Sequence, residues 1–290
     1  MNVGNMDSRK WLELCRIRIS FFSVLAAATG YLLAAPRPGT RIALLAPGVM
    51  LLACGASAIN QFLERKTDAL MPRTSGRPVP SGRTSPAGAF LFSICLISLG
   101  TAALFWSRGP LPAGMGLFTA FWYGAVYTPL KRKTPFAVAP GALTGAMPFA
   151  IGWAYAGGSL SDPRCILPCF FFYMWQMPHF WLFISQYGGE YEKAGLPSLT
   201  KVFSERQLAR VICSWSLSCG AGAMLLAYCA SGGIIIYGLA AAAACLALSG
   251  AAMLKMGSEK KKNKNYLFAW RGMNAAMFAV MCLLSADRIF

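Results

Sequence analysis

Apolar residues fall in nine long stretches of this chain, at about 17–36, 42–63, 87–106, 111–128, 135–157, 165–186, 208–229, 232–254 and 266–285. Each is close to the ~20 residues an α-helix needs to cross the hydrocarbon layer of a bilayer. In hydrocarbon every backbone N–H and C=O must be paired within the segment, which leaves the helix as the natural form of such a run. The sequence therefore predicts an all-α integral membrane protein with nine transmembrane helices, a single domain over 1–290. Only 13% of residues are charged, about half of what a water-soluble surface of this size usually carries. No small-residue cleavage site follows the first span, so it is expected to stay as an anchor.

The net charge is +17, from 27 basic and 10 acidic residues. In a soluble protein that excess points to nucleic acid; here its placement points to topology. With the N-terminus in the cytoplasm and nine crossings, 22 Lys and Arg fall on the cytoplasmic side, including Arg9, Lys10, Arg16 and Arg18. The other side holds Arg37, Arg41, Arg108, Arg164 and Arg288. The positive-inside rule then sets the N-terminus in and the C-terminus out, and no nucleic-acid partner is implied. The run Lys260-Lys261-Lys262 reads as a solvated loop meeting anionic lipid headgroups. Eight of the ten acidic residues share the cytoplasmic side, where polar chemistry is expected. The ten cysteines are scattered without a C-x-x-C pair and read as small apolar core residues rather than a disulfide framework. Cys165 and Cys169, four apart, carry a weak metal or redox hint.

Asn60, Glu64 and Asp68 close the second span at i, i+4 and i+8, which lines three oxygen donors along one helical face. Hard oxygen donors suit Mg²⁺, which takes one or two carboxylates and fills its shell with water and substrate phosphates. Pro72 stops the helix, and Arg73 and Arg77 follow at once. Guanidinium groups beside an acidic triplet fit a diphosphate held partly by metal and partly by cation. The same residues also read as a helix end with i,i+4 pairs and a topogenic loop, and composition leaves both open.

Three further clusters stand on the same side. Tyr127 to Thr134 joins spans four and five, where Lys131, Arg132 and Tyr127 could meet phosphate oxygens or simply mark topology. The small residues Gly141 and Gly145 that follow read as close helix packing. His179, the only histidine, lies next to Pro178 late in span six. It reads as a packed residue satisfied by a neighbouring helix, as a haem-iron ligand, or as an acid/base group. Glu190 and Glu192, in a loop beyond that span, form a second acidic spot, and Glu190 could bring a second Mg²⁺. Two acidic clusters, intervening cations and an aromatic interior suggest ionisation of an allylic diphosphate, with aromatic faces near the developing carbocation.

Ser57 to Glu64, Asp68, Met71, Arg73-Thr74 and Arg77-Pro78 resemble the first polar motif of the UbiA superfamily of intramembrane prenyltransferases. The Asn60-Gln61-Phe62 opening and Glu64 look like its protoheme IX farnesyltransferase (haem O synthase) branch. Tyr127 to Arg132, Ile151-Gly152-Trp153, Trp175 to Phe180, and Glu190-Tyr191 with Ala194 to Pro197 are similar to that branch's later motifs. The likeness runs from about residue 12 to 210. It implies nine helices in a UbiA-type bundle around a central cavity open to the cytoplasmic leaflet of the inner membrane. It implies transfer of the farnesyl group of farnesyl diphosphate to a vinyl group of haem B, with water added and diphosphate released. By the same resemblance Asn60, Glu64 and Asp68 would hold Mg²⁺ and diphosphate and, with Lys131, act in catalysis, while Glu190 remains the candidate for a second Mg²⁺. Arg73, Arg77, Lys131 and Arg132 would bind phosphate, with Tyr127 the further candidate named above, and His179 would face the haem. Haem B is then substrate rather than cofactor, membrane lipid surrounds the site, and the product would pass to a haem A synthase or a terminal oxidase. The chain departs from the branch at Leu14-Cys15, Ala137, Pro148-Phe149 and Gly189-Glu190. Another aromatic or tetrapyrrole acceptor is the alternative. A transporter fits less well, because polar side chains gather on one face rather than both.

Overall fold

The computed structural model describes residues 3–35, 39–255 and 259–287, with side chains from Ser8 and, after the second gap, from Lys261. Arg37, Arg288 and the side chain of Lys260, used above for topology, lie outside the described residues. Helices account for nearly all of the rest. In chain order they are α1 (Val3–Cys15), α2 (Ile17–Ala34), α3 (Ile42–Asp68), α4 (Pro86–Arg108) and α5 (Pro110–Phe121). A π-helical turn, Trp122–Tyr127, leads into the short α6 (Thr128–Leu130). Then come α7 (Val138–Ala156), α8 (Pro163–Lys193), α9 (Glu205–Leu225), α10 (Gly233–Ala252) and α11 (Glu259–Ala286).

Among the described residues six helical segments are long and apolar enough to cross a membrane: 17–34, 42–68, 86–108, 205–229, 233–252 and 261–286. The other three expected spans are helical but are divided or less apolar. The stretch 111–128 is interrupted by the π turn, α7 contains Pro148, and α8 contains Pro168 and Pro178 with Gln176 and His179 between apolar turns. Several ends also lie beyond the apolar stretches. The tail ahead of span one is helix α1, α3 runs to Asp68, and α8 carries Glu190 and Glu192 on its last turn rather than in a loop. Lys261 and Lys262 belong to the first turns of α11, where Lys262 Nζ meets Glu205 Oε2 at 2.7 Å. Outside hydrocarbon a helix can continue through charged residues, so the loss of hydropathy marks the membrane edge and not the helix end.

Local signals set several starts. Ser85 accepts from Gly88 N with Pro86 at the first turn of α4, Asp162 does the same for Arg164 N before α8, and Ser204 with Gln207 forms a capping box at α9. The main core lies where α7 to α11 meet around Phe149, Phe172, Leu182, Ile212, Leu246 and Met273, and a second cluster joins α2, α3, α4 and α7. Helices α2 and α7 cross at two glycines. A Cβ on Gly30 would stand 2.1 Å from the Phe149 carbonyl oxygen, and one on Gly152 would stand 1.8 Å from that of Ala27. Small residues of this kind let backbones touch, as membrane helix pairs require. Outward-facing Leu91, Leu99, Phe105, Trp106 and Ile234 are exposed, a surface suited to lipid. The ten cysteines are free, and six are buried.

Candidate active site

One end of the bundle gathers the polar residues of α3, the 69–85 loop, the α6 turn and the end of α8. On α3, Asn60 Nδ2 donates to Glu64 Oε2 at 2.9 Å and to Thr128 Oγ1 at 3.2 Å. Glu64 also pairs with Lys131 Nζ. One turn further, Asp68 Oδ2 receives Arg77 Nη1 at 2.6 Å, while Thr74 Oγ1 donates to the Asp68 carbonyl at 2.8 Å and folds the loop back. The expected triplet therefore does share a face, with each carboxylate matched to one cation from another segment. Asp68 is 2% exposed, so a bare charge there would be costly and the pairing is what makes its burial tolerable.

Lys131 reaches Glu64 because of the π turn. The Thr128 N–H reaches back to the Tyr123 carbonyl, and the Thr128 hydroxyl donates to the same oxygen at 2.8 Å. A π turn holds one extra residue and shifts everything after it around the helix axis. Tyr127 lies beside Tyr123 at 5.5 Å, with Lys131 Nζ 5.0 Å from its ring centre. Its ring packs where Gly141 has no side chain; a Cβ there would sit 2.4 Å from Tyr127 Cε2. Gly145 likewise makes room for Gln176, whose Nε2 donates to the Ala142 carbonyl at 2.9 Å.

Helix α8 supplies the facing wall. Phe183, Tyr187 and Tyr191 recur at i, i+4 and i+8, and the Arg73 guanidinium lies 4.8 Å from the Phe183 ring and 5.5 Å from Tyr187. Burial pushes the Tyr191 phenol up, Lys131 pulls it back, Glu64 adds to the rise, and Arg73 and Arg77 oppose it. A small crevice where the segment after α6 meets α8 is lined by Lys131, Pro135, Phe180, Ile184, Tyr191 and Leu199. Arg77 falls below the usual guanidinium value through burial and through the like charges of Arg16 and Arg73, with Asp68 opposing. Three cations thus crowd one end of the bundle, an arrangement that favours an arriving anion.

Arg132 goes elsewhere: its Nη2 donates to the Leu63 carbonyl at 2.6 Å on the exposed side. Arg132→Ala is expected to lower kcat/KM only a few-fold, whereas Lys131→Ala lowers it at least a hundredfold. Steady-state assays of the two variants side by side check this.

A model of the UbiA prenyltransferase family matches residues 22–272. The chain belongs to the UbiA prenyltransferase family. The protoheme IX farnesyltransferase of Geobacter sulfurreducens is 43% identical over 193 residues, 67% of this chain and 71% of that protein. That of Oleidesulfovibrio alaskensis is 32% identical over 277 residues, 96% and 95% of the two chains. A digeranylgeranylglyceryl phosphate synthase structure superposes with a TM-score of 0.76 at 16% identity, covering 98% and 99% of the chains. A UbiA homologue from Archaeoglobus fulgidus, bound to GPP and Mg²⁺, gives 0.69 at 18% identity over 94% and 99%. The resemblance carried by the motifs is borne out: this is a multi-pass membrane prenyltransferase.

Whether the site of this UbiA prenyltransferase suits Mg²⁺ is a question of donors. Among the described residues no three His, Cys, Asp or Glu side chains gather closely enough to hold a metal unaided. Glu190 Oε2, however, is buried without a hydrogen-bond partner, and Glu64 and Asp68 supply further carboxylate oxygens. One or two of these carboxylates suit an ion that fills the rest of its shell with water and phosphate oxygens.

His179 lies apart from the acidic face, within an aromatic group. Trp175 and Trp270 stack on its two sides, each at 4.4 Å between ring centres, and its Nδ1 is buried without a partner. Residues that sequence reasoning missed are Arg16, Tyr123, Phe183, Tyr187 and Trp270. The aromatic triplet on α8 repeats the spacing of the acidic triplet and was open to discovery on that ground. Arg16 had no such signal. It joins α1 to α2 at φ 45°, the one left-handed non-glycine among the described residues. Gln61 braces this join by donating to the Leu14 and Glu13 carbonyls at 3.0 and 3.3 Å. An arginine held there costs of order 1 kcal/mol. Arg16→Asn, which tolerates that conformation, is expected to keep or raise the melting temperature while cutting turnover at least tenfold. A fall in melting temperature with unchanged turnover would make Arg16 merely structural.

Proposed function

We propose that this prenyltransferase moves the farnesyl group of farnesyl diphosphate onto a vinyl group of haem B, giving haem O and diphosphate. The observation that carries the reading is the meeting of Arg73, Arg77 and Lys131 with the Asn60–Glu64–Asp68 face against the aromatic wall of α8, in a chain 32–43% identical to proteins named protoheme IX farnesyltransferase. Arg73, Arg77 and Lys131 take the diphosphate oxygens, and Tyr127 lies under Lys131 and fixes its reach. As the C1–O bond breaks, these cations hold the departing charge. The Phe183, Tyr187 and Tyr191 faces stand near the positive carbon. The new C–C bond forms at the vinyl carbon, water adds to the adjacent carbon, and a proton is released. Asn60, Glu64, Asp68 and Glu190 are the residues that would hold Mg²⁺, no more than two carboxylates to one ion, and the metal would neutralise diphosphate charge.

The same reading places nine crossings in the inner membrane, the N-terminus and the active end in the cytoplasm, and a haem A synthase or terminal oxidase downstream. The excess of Lys and Arg at that end supports it.

The test is mass spectrometry of products from the detergent-purified protein with haem B, farnesyl diphosphate and Mg²⁺. A haem heavier by one farnesyl group plus one water is expected, and EDTA should reduce its yield at least a hundredfold. Diphosphate release without modified haem, when another aromatic acceptor is supplied, would overturn the acceptor.

A further inference from the structure

Two cysteines meet where the end of α1 is fastened to α3. Cys54, Ala58 and Gln61 stand at i, i+4 and i+7 on α3 and so share one face of that helix. That face holds the end of α1 residue by residue. Gln61 donates to the Glu13 and Leu14 carbonyls, and Leu14 packs with Ala58, both fully buried. Cys15 comes next, and its thiol is in contact with that of Cys54. The buried Ser20 hydroxyl donates to the Cys15 carbonyl at 2.8 Å and also touches the Cys54 thiol.

Cys165 and Cys169 touch as well, but they lie four apart on α8. Such a spacing sets Cβ atoms about 5–6 Å apart, against the ~3.8 Å usual in a disulfide, so the helix would have to unwind before the sulfurs joined. Cys15 and Cys54 come from different helices and carry no such restriction. Cys15 also directly precedes Arg16, which is held at φ 45° and stands close enough to act on the charges of Glu64 and Arg77. A covalent tie between the two sulfurs therefore bears on the backbone that aims Arg16. Cys15 is moreover one of the positions at which the chain departs from the branch it resembles, so the pair is a property of this sequence.

We propose that Cys15 and Cys54 form a redox modification site: a hydroperoxide converts the dithiol to a disulfide, and the bond slows prenyl transfer by shifting Arg16. One sulfur, as its thiolate, attacks the terminal peroxide oxygen. The O–O bond breaks, the leaving alkoxide takes the thiol proton, and a sulfenic acid remains. The second thiolate attacks that sulfur, and the S–O bond breaks with loss of water. The two thiols give up two electrons in all, and one hydroperoxide is reduced to an alcohol and water. Leu12, Ile17 and Ile19, which flank the pair in sequence, are exposed, so a lipid-soluble hydroperoxide meets the site from the membrane side. Closing two touching sulfurs to a bond of about 2.05 Å draws the end of α1 toward α3. Where glutathione keeps thiols reduced, such bonds are transient and redox-sensing.

The experiment uses the full-length protein in detergent, reduced with dithiothreitol, desalted and treated with cumene hydroperoxide. Remaining thiols are blocked with N-ethylmaleimide, linked peptides are identified by mass spectrometry, and farnesyl diphosphate turnover is followed in parallel. A Cys15–Cys54 linked peptide should appear before any other while turnover falls about fivefold or more, since small displacements at a site cost rate steeply. Dithiothreitol should reverse both. Cys54→Ala should start near wild-type turnover and lose little under the same treatment. Cys15→Ser should do likewise, which keeps the test open if one variant folds poorly. No linked peptide once the exposed Cys95 and Cys282 have been oxidised overturns the site. A linked peptide with unchanged turnover, or an equal loss of turnover in Cys54→Ala, overturns the switch. Linkage needs no substrate, and turnover is read with whichever acceptor the enzyme takes, so failure of the haem reaction leaves this inference standing.

Discussion

Glu64→Gln is expected to lower farnesyl transfer about a thousandfold or more, with the protein still extractable in folded form. The glutamine keeps the length of the side chain and one acceptor for Asn60 Nδ2, but removes the charge that matches Lys131. Two effects must be told apart. Taking one partner from a largely buried ion pair leaves the other uncompensated, at a cost of order 3 kcal/mol; both side chains here are 14% exposed. Loss of a carboxylate that organises diphosphate chemistry acts on the rate instead. The double variant Glu64→Gln with Lys131→Met removes both charges and should recover most of the melting temperature without recovering turnover. If Glu64→Gln retains activity within tenfold of wild type, the acidic face of α3 is not where the chemistry occurs.

Gly152→Ala is expected to be the most damaging single methyl in the chain. The added Cβ would face the Ala27 carbonyl oxygen at 1.8 Å, and the opposing element is backbone, which cannot rotate away as a side chain can. Helices α2 and α7 would have to separate, and with them the buried contacts of Ala27, Tyr31, Ile151 and Tyr155. Overpacking in a dense interior usually costs about 1–3 kcal/mol; a backbone contact should reach the top of that range or exceed it. Gly114 provides the control, since a Cβ there meets nothing within 4 Å. Gly114→Ala should be neutral or stabilise by up to about 1 kcal/mol. Thermal unfolding in detergent, followed by size-exclusion profile, measures both. Equal melting temperatures for Gly152→Ala and wild type would show that the crossing is looser than described.

Hydropathy carries the helices well wherever lipid solvates them, and poorly beyond. Residues 261–265 look like loop because they are charged, whereas 64–68 read as helix only through the spacing of their polar residues. In the structure Lys131, Arg77 and Glu205 arrive from elsewhere to pair with residues of both segments, which no local pattern announces. The i, i+4, i+8 spacing of Asn60, Glu64 and Asp68 made that face legible, since helical geometry alone aligns them. The π turn was not legible: nothing in Trp122 to Tyr127 encodes one extra residue per turn, yet that residue decides where Lys131 points. Nor was it legible that Arg132 turns to the Leu63 carbonyl while Lys131 meets Glu64, since neighbours in sequence leave a helix end in different directions. Trp270 gave no signal because a tryptophan in an apolar span is unremarkable until the ring it covers is known.

The two-glycine crossing of α2 and α7 also bears on how the protein can move. Where two backbones are in contact on both sides of a crossing, neither helix can slide along or roll over the other without collision, since packed interiors shift between discrete arrangements and do not deform smoothly. That pair therefore serves as the stationary frame of the bundle. The 69–85 loop is held differently, by Arg77 on Asp68 and by the Thr74 hydroxyl on the Asp68 carbonyl. Polar tethers of this sort exchange readily with water or with an incoming anion, on the microsecond-to-millisecond scale usual for loops and lids. Movement at the polar end of the bundle is thus expected of the loop and not of this crossing.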